Sequence, residues 1–360
     1  MAFPRDDETI VVHLYFLNLT CMKRILLVLA GLLVLLAVVY GFGPRPQFAH
    51  LPIKTAPLPA DLATLERTIA ESEKGAGLKP DNEARIIWAD SNRKAKTPVS
   101  MVYIPGFGAS WAEGDPVHKR LAAHFGCNLY LARPEEHGLT SPDALKKLTP
   151  ESYAASAERA LAIGKALGDR VVVIGTSAGG MLTLYLAERH PELAGVVLYS
   201  PCIATANPAL KLATKPWGVQ IMRQVLQGDH VNVTHYKPDR ARYWLTQYHI
   251  NGLVVLQAMM DEYMTPAELA RVKQPLFLGY YYKDDDHQDK VVSVAAMLAM
   301  YDQLGTLPDR KEKVAFPNAG EHVIASHFTS GDLNGVYRAS ERFLTNVVKL
   351  KPVLGTLASK

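Results

Sequence analysis

Seven short apolar runs, rich in β-branched and aromatic residues, recur along this chain with helix-patterned segments between them. They are ARIIWAD (84–90), VSMVYIP (99–105), NLYLA (128–132), RVVVIGT (170–176), AGVVLYS (194–200), PLFLGYY (275–281) and EKVAFP (312–317). Between them lie DPVHKRLAAHFG, PESYAASAERALAIGKALG, GMLTLYLAERHPE and VVSVAAMLAMYDQLG, in which apolar residues repeat at helical spacing. Continuous rather than alternating apolar strands, joined by helices, imply a mostly parallel central sheet buried on both faces, an α/β architecture. The alternation fails once. Residues 202–273 carry helical patterns and no convincing strand, which predicts a helical insertion over one end of the sheet. The 360 residues contain no central Gly/Ser or Pro-rich linker, so one domain with an insertion is expected rather than two equal domains.

The N-terminus carries a different signal. Ile25 to Gly43, ILLVLAGLLVLLAVVYGFG, is a run of 19 uncharged residues, long enough to cross a bilayer core of about 30 Å as a helix. Lys23 and Arg24 immediately precede it and, with Arg5, favour a cytoplasmic N-terminus and a translocated body, on the periplasmic or extracellular side. The sequence MKRILLVLAG makes Met22 a candidate initiator, with residues 1–21 as an upstream extension. No Ala-x-Ala site closes the run, which favours a permanent signal-anchor over a secreted form released by cleavage. The expected division is an extension and basic flank at 1–24, a transmembrane anchor at 25–43, a Pro-rich tether at 44–60, an α/β domain at 61–201 and 274–350, and the helical insertion at 202–273. With 39 basic against 35 acidic residues and no basic block, nothing indicates a nucleic-acid partner. Cys21, Cys127 and Cys202 do not form a disulfide framework. The sequence leaves oligomeric state open.

Gly175-Thr176-Ser177-Ala178-Gly179 is a G-x-S-x-G sequence entered by a strand and left by a helix. That context predicts a sharp, strained turn exposing the Ser177 hydroxyl at the carboxyl end of the strand, with glycines where neighbours crowd. A serine needs a base to become a nucleophile. Among twelve histidines, His322 is the best candidate, on a Gly-containing loop after the last strand; His327 is its rival, while His118, His124 and His190 sit in or beside helices. The base needs an acid to fix its tautomer, and YYKDDDHQDKVV offers Asp284, Asp285, Asp286 and Asp289. Asp289 is preferred because it opens the next helical segment, and Asp286 is the alternative. Backbone N–H groups of Ala178 and of Phe107, in the glycine-bearing turn YIPGFGAS, are the expected oxyanion donors.

The order Ser177, Asp289, His322, with an insertion before the acid, resembles the α/β-hydrolase superfamily. VYIPGFGASWAEGDPVHKRLA, LARPEEHG, GTSAGG, DKVV and GEHV look like its carboxylesterase and monoacylglycerol-lipase branch, also described as a serine aminopeptidase S33-type domain. The resemblance spans about residues 84–348 and is weak in 202–273. It implies a serine attacking an acyl carbon, a histidine acting as base and then acid, and a lid shaping the acyl pocket. This chain departs from the family in carrying Pro105-Gly106 where His-Gly is common and Glu136-His137-Gly138 where Gly-His-Gly is common. Proline supplies neither an N–H nor an imidazole to brace the loop. No cluster has metal-ligand spacing and no Gly-rich phosphate loop follows an early strand, so neither a metal nor a cofactor is implied.

Hydrolysis of short-to-medium monoacyl esters, small-molecule substrates taken through an acyl-enzyme, is the leading functional expectation. In the insertion, Trp217, Met222, Trp244, Leu253, Val254, Val255, Leu256, Met259 and Met260 are candidates for an apolar acyl slot, and no Arg/Lys cluster suited to an anionic substrate stands out. A peptidase using the same residues would hold a free ammonium with acids such as Asp261 and Glu262. A catalytically silent, membrane-tethered binding protein is the third possibility, motivated by Pro105 and the stretched acid loop.

Overall fold

The β-branched and aromatic runs alternate their side chains between two apolar layers. In β2 (Thr97–Ile104), Val102 and Ile104 face one layer while Met101 and Tyr103 face the other; β4 (Gly168–Thr176) divides Val171 and Val173 from Val172 and Ile174 in the same way. All these side chains are buried, which is why the runs read as continuous hydrophobic stretches. The computed structural model describes residues 7–48, 53 and 55–353; Arg5 and residues 49–52 and 54 of the expected tether lie outside these.

All seven expected runs become strands of one sheet. Its order is β1 (Arg85–Ile87), β3 (Asn128–Leu131), β2, β4, β5 (Gly195–Tyr199), β8 (Leu276–Tyr280) and β9 (Lys311–Ala315), parallel except for β1, which runs antiparallel to β3. One face is covered by α2 (Leu62–Glu73), α4 (Pro150–Leu167), α5 (Ala178–Arg189) and α10 (Val294–Gln303), the other by α3 (Val117–Phe125) and α11 (Leu333–Asn346). The α4 helix starts at a capping box of Thr149 and Ser152 with Pro150 in its first turn. Because the central strands share one direction, their carboxyl ends define a single edge where loops converge.

Between β5 and β8 the chain makes its long excursion. It contains α6 (Gly218–Leu226), α7 (Pro238–Ala241), α8 (Asn251–Tyr263) and α9 (Pro266–Leu269), but it is not all helical. β6 (His230–Asn232) and β7 (Gln247–His249) form an antiparallel ribbon that the sequence pattern did not suggest, since three-residue strands are too short to show a period of two. The segment from 238 also breaks at Tyr243–Leu245, where Ser110 N–H donates to Tyr243 O (3.0 Å) and Leu245 N–H to Gly108 O (2.7 Å). Pairing with the loop after β2 overrides the local helical periodicity.

The N-terminal α1 runs from Asp7 to Gly41, starting well before the expected Ile25 because no proline or glycine interrupts residues 7–30. Its part from Met22 to Gly41 has mean hydropathy 2.5, is unburied, and is long and apolar enough to cross a membrane. At its end, Trp217 of the excursion donates its indole N–H to Val39 O (3.0 Å) and its backbone N–H to Pro44 O (2.9 Å).

Candidate active site

Ser177 follows β4 directly and precedes the first turn of α5, with φ 55° and ψ −120°, a conformation few non-glycine residues adopt. The neighbouring glycines make that turn possible. A Cβ on Gly179 would lie 2.0 Å from Ile104 O and 2.5 Å from Pro105 O, and one on Gly175 would lie 2.3 Å from Thr183 Oγ1 and 2.4 Å from Gly179 O. The turn is tied to its surroundings by Ser177 N–H to Tyr199 O (2.9 Å) and Cys202 N–H to Ser177 O (2.8 Å).

His322 and Asp289 meet at the same sheet edge. His322 Nδ1 lies 2.6 Å from Asp289 Oδ2, while Asp289 Oδ1 accepts N–H groups from Val291 (2.8 Å) and Val292 (3.0 Å). The stretched acid loop is no obstacle. Asp289 N–H bonds back to Tyr281 O at 3.2 Å and residues 284–288 form a closed excursion, so Asp289 stands in effect directly after β8. Asp286 is exposed on that excursion, and neither Asp284 nor Asp285 reaches the histidine: Asp284 engages His287 and Asp285 accepts from Tyr282. His327 is likewise exposed, its Nδ1 beside Asp115 O. Burial by itself would lower the pKa of His322, but the charge and hydrogen bond of Asp289 outweigh it and hold the ring above its ordinary value. Burial opposes ionisation of Asp289, yet His322 and the two backbone donors hold its carboxyl below the usual range.

His322 Nε2 is buried and has no hydrogen-bond partner among the described residues. It and Ser177 line one cavity of about 250 Å³ at the carboxyl edge of the sheet. Phe107 also lines this cavity, and its N–H and that of Ala178 donate to no group of the described protein. The loop bearing Phe107 sits close against the serine, since a Cβ on Gly106 would lie 2.9 Å from Ser177 Cβ.

Of the nine apolar residues expected in the acyl slot, Trp244, Leu253 and Leu256 line the cavity. Val255, Met259 and Met260 of α8 are instead buried against the body, packing that helical spacing cannot distinguish from a ligand wall, and Val254 is buried without lining the cavity. Met222 lies in a second, more apolar groove of about 490 Å³, which shares Thr205, Leu210, Leu253 and Val291 with the first. In the wall of that groove α6 presents the partly exposed Ile221, Val225 and Leu226, with Trp217 at its start, an apolar patch next to the end of α1 that sequence reading missed.

Three charged groups in the cavity wall were also missed. Arg240 pairs with Glu321 at 2.5 Å, so cationic side chains do reach the site. Glu113, in a 3-10 turn (Trp111–Gly114), is 2% exposed and accepts Gly106 N–H at 2.5 Å. The signal for Glu113 was its place eight residues beyond Pro105, but only the folded loop shows that it turns back. Asp261 is engaged elsewhere, accepting from Gln257 and Thr214, and neither it nor Glu262 lines the cavity. Cys127 and Cys202 are buried free thiols. No group of His, Cys, Asp and Glu among the described residues has the arrangement of a metal site.

A parallel sheet with a strained serine turn and a His–Asp pair at its carboxyl edge defines the α/β-hydrolase class. Residues 101–332, well over half of the chain, match the model of the alpha/beta hydrolase family, and the chain belongs to that family. It is 27% identical over 190 residues to the thermostable monoacylglycerol lipase of Bacillus sp. (strain H-257), covering 53% of this chain and 71% of that one. Among solved structures, that of the metagenome-derived lipolytic enzymes LipS and LipT superposes with a TM-score of 0.60 at 19% identity, over 74% of this chain and 98% of the other. A soluble variant of monoglyceride lipase from Saccharomyces cerevisiae follows at 0.55 and 13%, over 73% and 90%. The chain is thus an α/β hydrolase similar to monoacylglycerol lipases.

Proposed function

We propose that this chain is a membrane-tethered serine hydrolase of short-to-medium monoacyl esters. The observation that carries the proposal is the 2.6 Å contact from His322 Nδ1 to Asp289, which leaves Nε2 unpartnered in the cavity that Ser177 lines. With Asp289 holding the proton on Nδ1, Nε2 is the basic nitrogen. Ser177 Oγ adds to the ester carbonyl carbon as its proton passes to Nε2, and the carbonyl oxygen becomes an oxyanion held by the N–H groups of Phe107 and Ala178. Collapse expels the alcohol, which takes the proton from Nε2. Water then adds to the acyl-enzyme with His322 again as base, releasing the acid and restoring Ser177.

The cavity is at the small end of ligand pockets, for which about 300 Å³ is a usual minimum, and its wall at Leu253 and Leu256 is apolar. This favours one acyl chain, with any excess continuing into the groove beside α6. Residues 202–273 then act as the lid. The 22–41 segment acts as an anchor, with Lys23 and Arg24 retained on the cytoplasmic side and the body on the other. The peptidase alternative loses its candidate ammonium site, because Asp261 and Glu262 lie outside the cavity.

The test is a chain-length series of p-nitrophenyl esters run beside a monoacylglycerol, an emulsified triacylglycerol and an aminoacyl p-nitroanilide, with the parent and Ser177→Ala. Ester turnover peaking at short-to-medium chains and abolished by Ser177→Ala is the expected result. Activity confined to the anilide, or unchanged ester activity in Ser177→Ala, would sink the proposal.

A further inference from the structure

The chain lacks the imidazole that commonly braces the loop after β2, and Pro105 has no N–H to anchor it. We propose that Glu113 supplies the missing brace: by accepting Gly106 N–H it fixes the peptide that aims the next N–H, that of Phe107, at the developing oxyanion. The inference rests on the assignment of Ser177 and Phe107 above, and it makes Glu113 a positioning residue rather than a catalytic one.

Three observations carry it. The contact is short, Gly106 N to Glu113 Oε2 at 2.5 Å, and wholly buried. The same oxygen lies 3.3 Å from Tyr103 Oη, which is itself 3.1 Å from Oγ1 of Thr176, the residue before Ser177. One carboxyl therefore links the end of β2, the Phe107 loop and the serine turn. Finally, the carboxyl occupies the space that a side chain at position 106 would need, since a Cβ there would lie 2.7 Å from Oε1. With Glu113 in place, as with Ser177 Cβ at 2.9 Å, only glycine fits at position 106.

The turn that delivers Glu113 is itself fixed. Trp111 O lies 2.8 Å from His118 Nε2, Ala112 O accepts from Ser326 Oγ at 2.8 Å, and Glu113 N–H donates to Ser110 O at 3.1 Å. A brace held this firmly can define the Phe107 N–H to a fraction of an ångström, and a misplacement of about 1 Å can cost about 100-fold in rate. Around the carboxyl stand Tyr103 from β2, His322 from the loop after β9, Arg240 from α7, Tyr153 from α4 and Tyr236 from the segment before α7. Burial pushes Glu113 up to about 7 against the opposing pull of Gly106 N–H, His322 and Arg240. Either protonation state can accept from Gly106. The ionised state also places negative charge beside the oxyanion and works against it, so ionised Glu113 should hold kcat below that of a neutral glutamine at the same pH.

The experiment uses the full-length protein in detergent with p-nitrophenyl butyrate. Glu113→Gln keeps an acceptor oxygen and loses the charge, whereas Glu113→Ala loses both. Expected at pH 6 is a kcat for Glu113→Gln within about three-fold of the parent, and for Glu113→Ala a 10- to 100-fold lower kcat with KM within about three-fold. An aryl trifluoromethyl ketone, whose adduct with Ser177 bears an oxyanion, should lose affinity for Glu113→Ala by the same factor. Above pH 7 the ratio of Glu113→Gln to parent kcat should rise, on top of the increase both show as His322 loses its proton. Parent-like kcat in the alanine variant, alanine-like kcat in a folded glutamine variant, or identical pH profiles of parent and glutamine variant would each overturn the proposal. If Glu113→Ala does not fold, the glutamine variant decides by the same criteria. Failure here is distinct from failure of the serine assignment, which Ser177→Ala reads separately.

Discussion

Asp289→Asn tests the acid assignment through a geometry that leaves asparagine little choice. Oδ1 of Asp289 receives two backbone N–H groups, from Val291 and Val292, and Oδ2 faces His322 Nδ1. Asparagine has one acceptor oxygen. If it stays with the two backbone donors, the amide NH₂ points at Nδ1, which must then be unprotonated, and the ring proton moves to Nε2, where it cannot accept from Ser177. If the amide turns over, Nδ1–H is satisfied, but two buried N–H groups face an NH₂. Stranding them costs about 1–3 kcal/mol each, or about 2–6 kcal/mol against the productive arrangement. At about 1.4 kcal/mol per factor of ten, kcat should fall by about 30-fold to about 10⁴-fold, the upper end matching the loss of about 10⁴ known for the same change in serine-protease triads. The assay is p-nitrophenyl butyrate turnover at pH 8, with circular dichroism to match folding, and Asp286→Asn as the control. Asp286 is exposed and makes no hydrogen bond to His322, so its variant should stay within about two-fold of the parent. A loss below ten-fold for Asp289→Asn, or the larger loss in Asp286→Asn, would refute the reasoning.

Glu113 gives a stability prediction with a definite sign. A folded pKa of about 7 against an ordinary 4.5 means that ionisation opposes folding: the penalty is absent below the unfolded pKa, grows as pH rises, and is complete above about 7, at about 3 kcal/mol. Thermal midpoints in detergent should therefore show Glu113→Gln gaining on the parent between pH 5 and 9; a constant difference would contradict the burial cause. Gly179→Ala drives a methyl into Ile104 O and Pro105 O, and should cost at least the upper end of usual overpacking, about 3 kcal/mol, with loss of activity. A soluble, fully active alanine variant would show that the turn is looser than drawn. Val225→Asp, on the exposed face of α6, should lower turnover of monoacylglycerol in vesicles several-fold while leaving p-nitrophenyl butyrate turnover unchanged. Equal effects on both substrates would refute it.

The sheet was legible because burial on both faces writes a continuous apolar signature, which the inner strands carry, while the edge strands β1 and β9 are only partly buried and carry it weakly. The Ser177 turn was legible for a related reason: close backbone approach forbids side chains at Gly175 and Gly179, and that prohibition is visible as residue type. Asp289 could be chosen over Asp286 only on its place at the mouth of the next helical segment, a local argument that the folded loop happens to respect, because Tyr281 O and Asp289 N–H close off the intervening residues. What stayed hidden depends on contacts between distant segments. β6 and β7 are defined by each other rather than by their own composition, and Trp217 seats itself against Val39 and Pro44 across more than 170 positions. Glu113 is the most instructive case. In the sequence it is one glutamate in a polar turn, for which a solvated surface role would be the natural reading. Its burial follows from the carbonyls of Trp111 and Ala112 being held by His118 and Ser326, residues that lie on another helix and another loop. The absence of the usual histidine at position 105 was therefore visible in the sequence, but the group that takes over its place could be found only where the turn closes on Gly106.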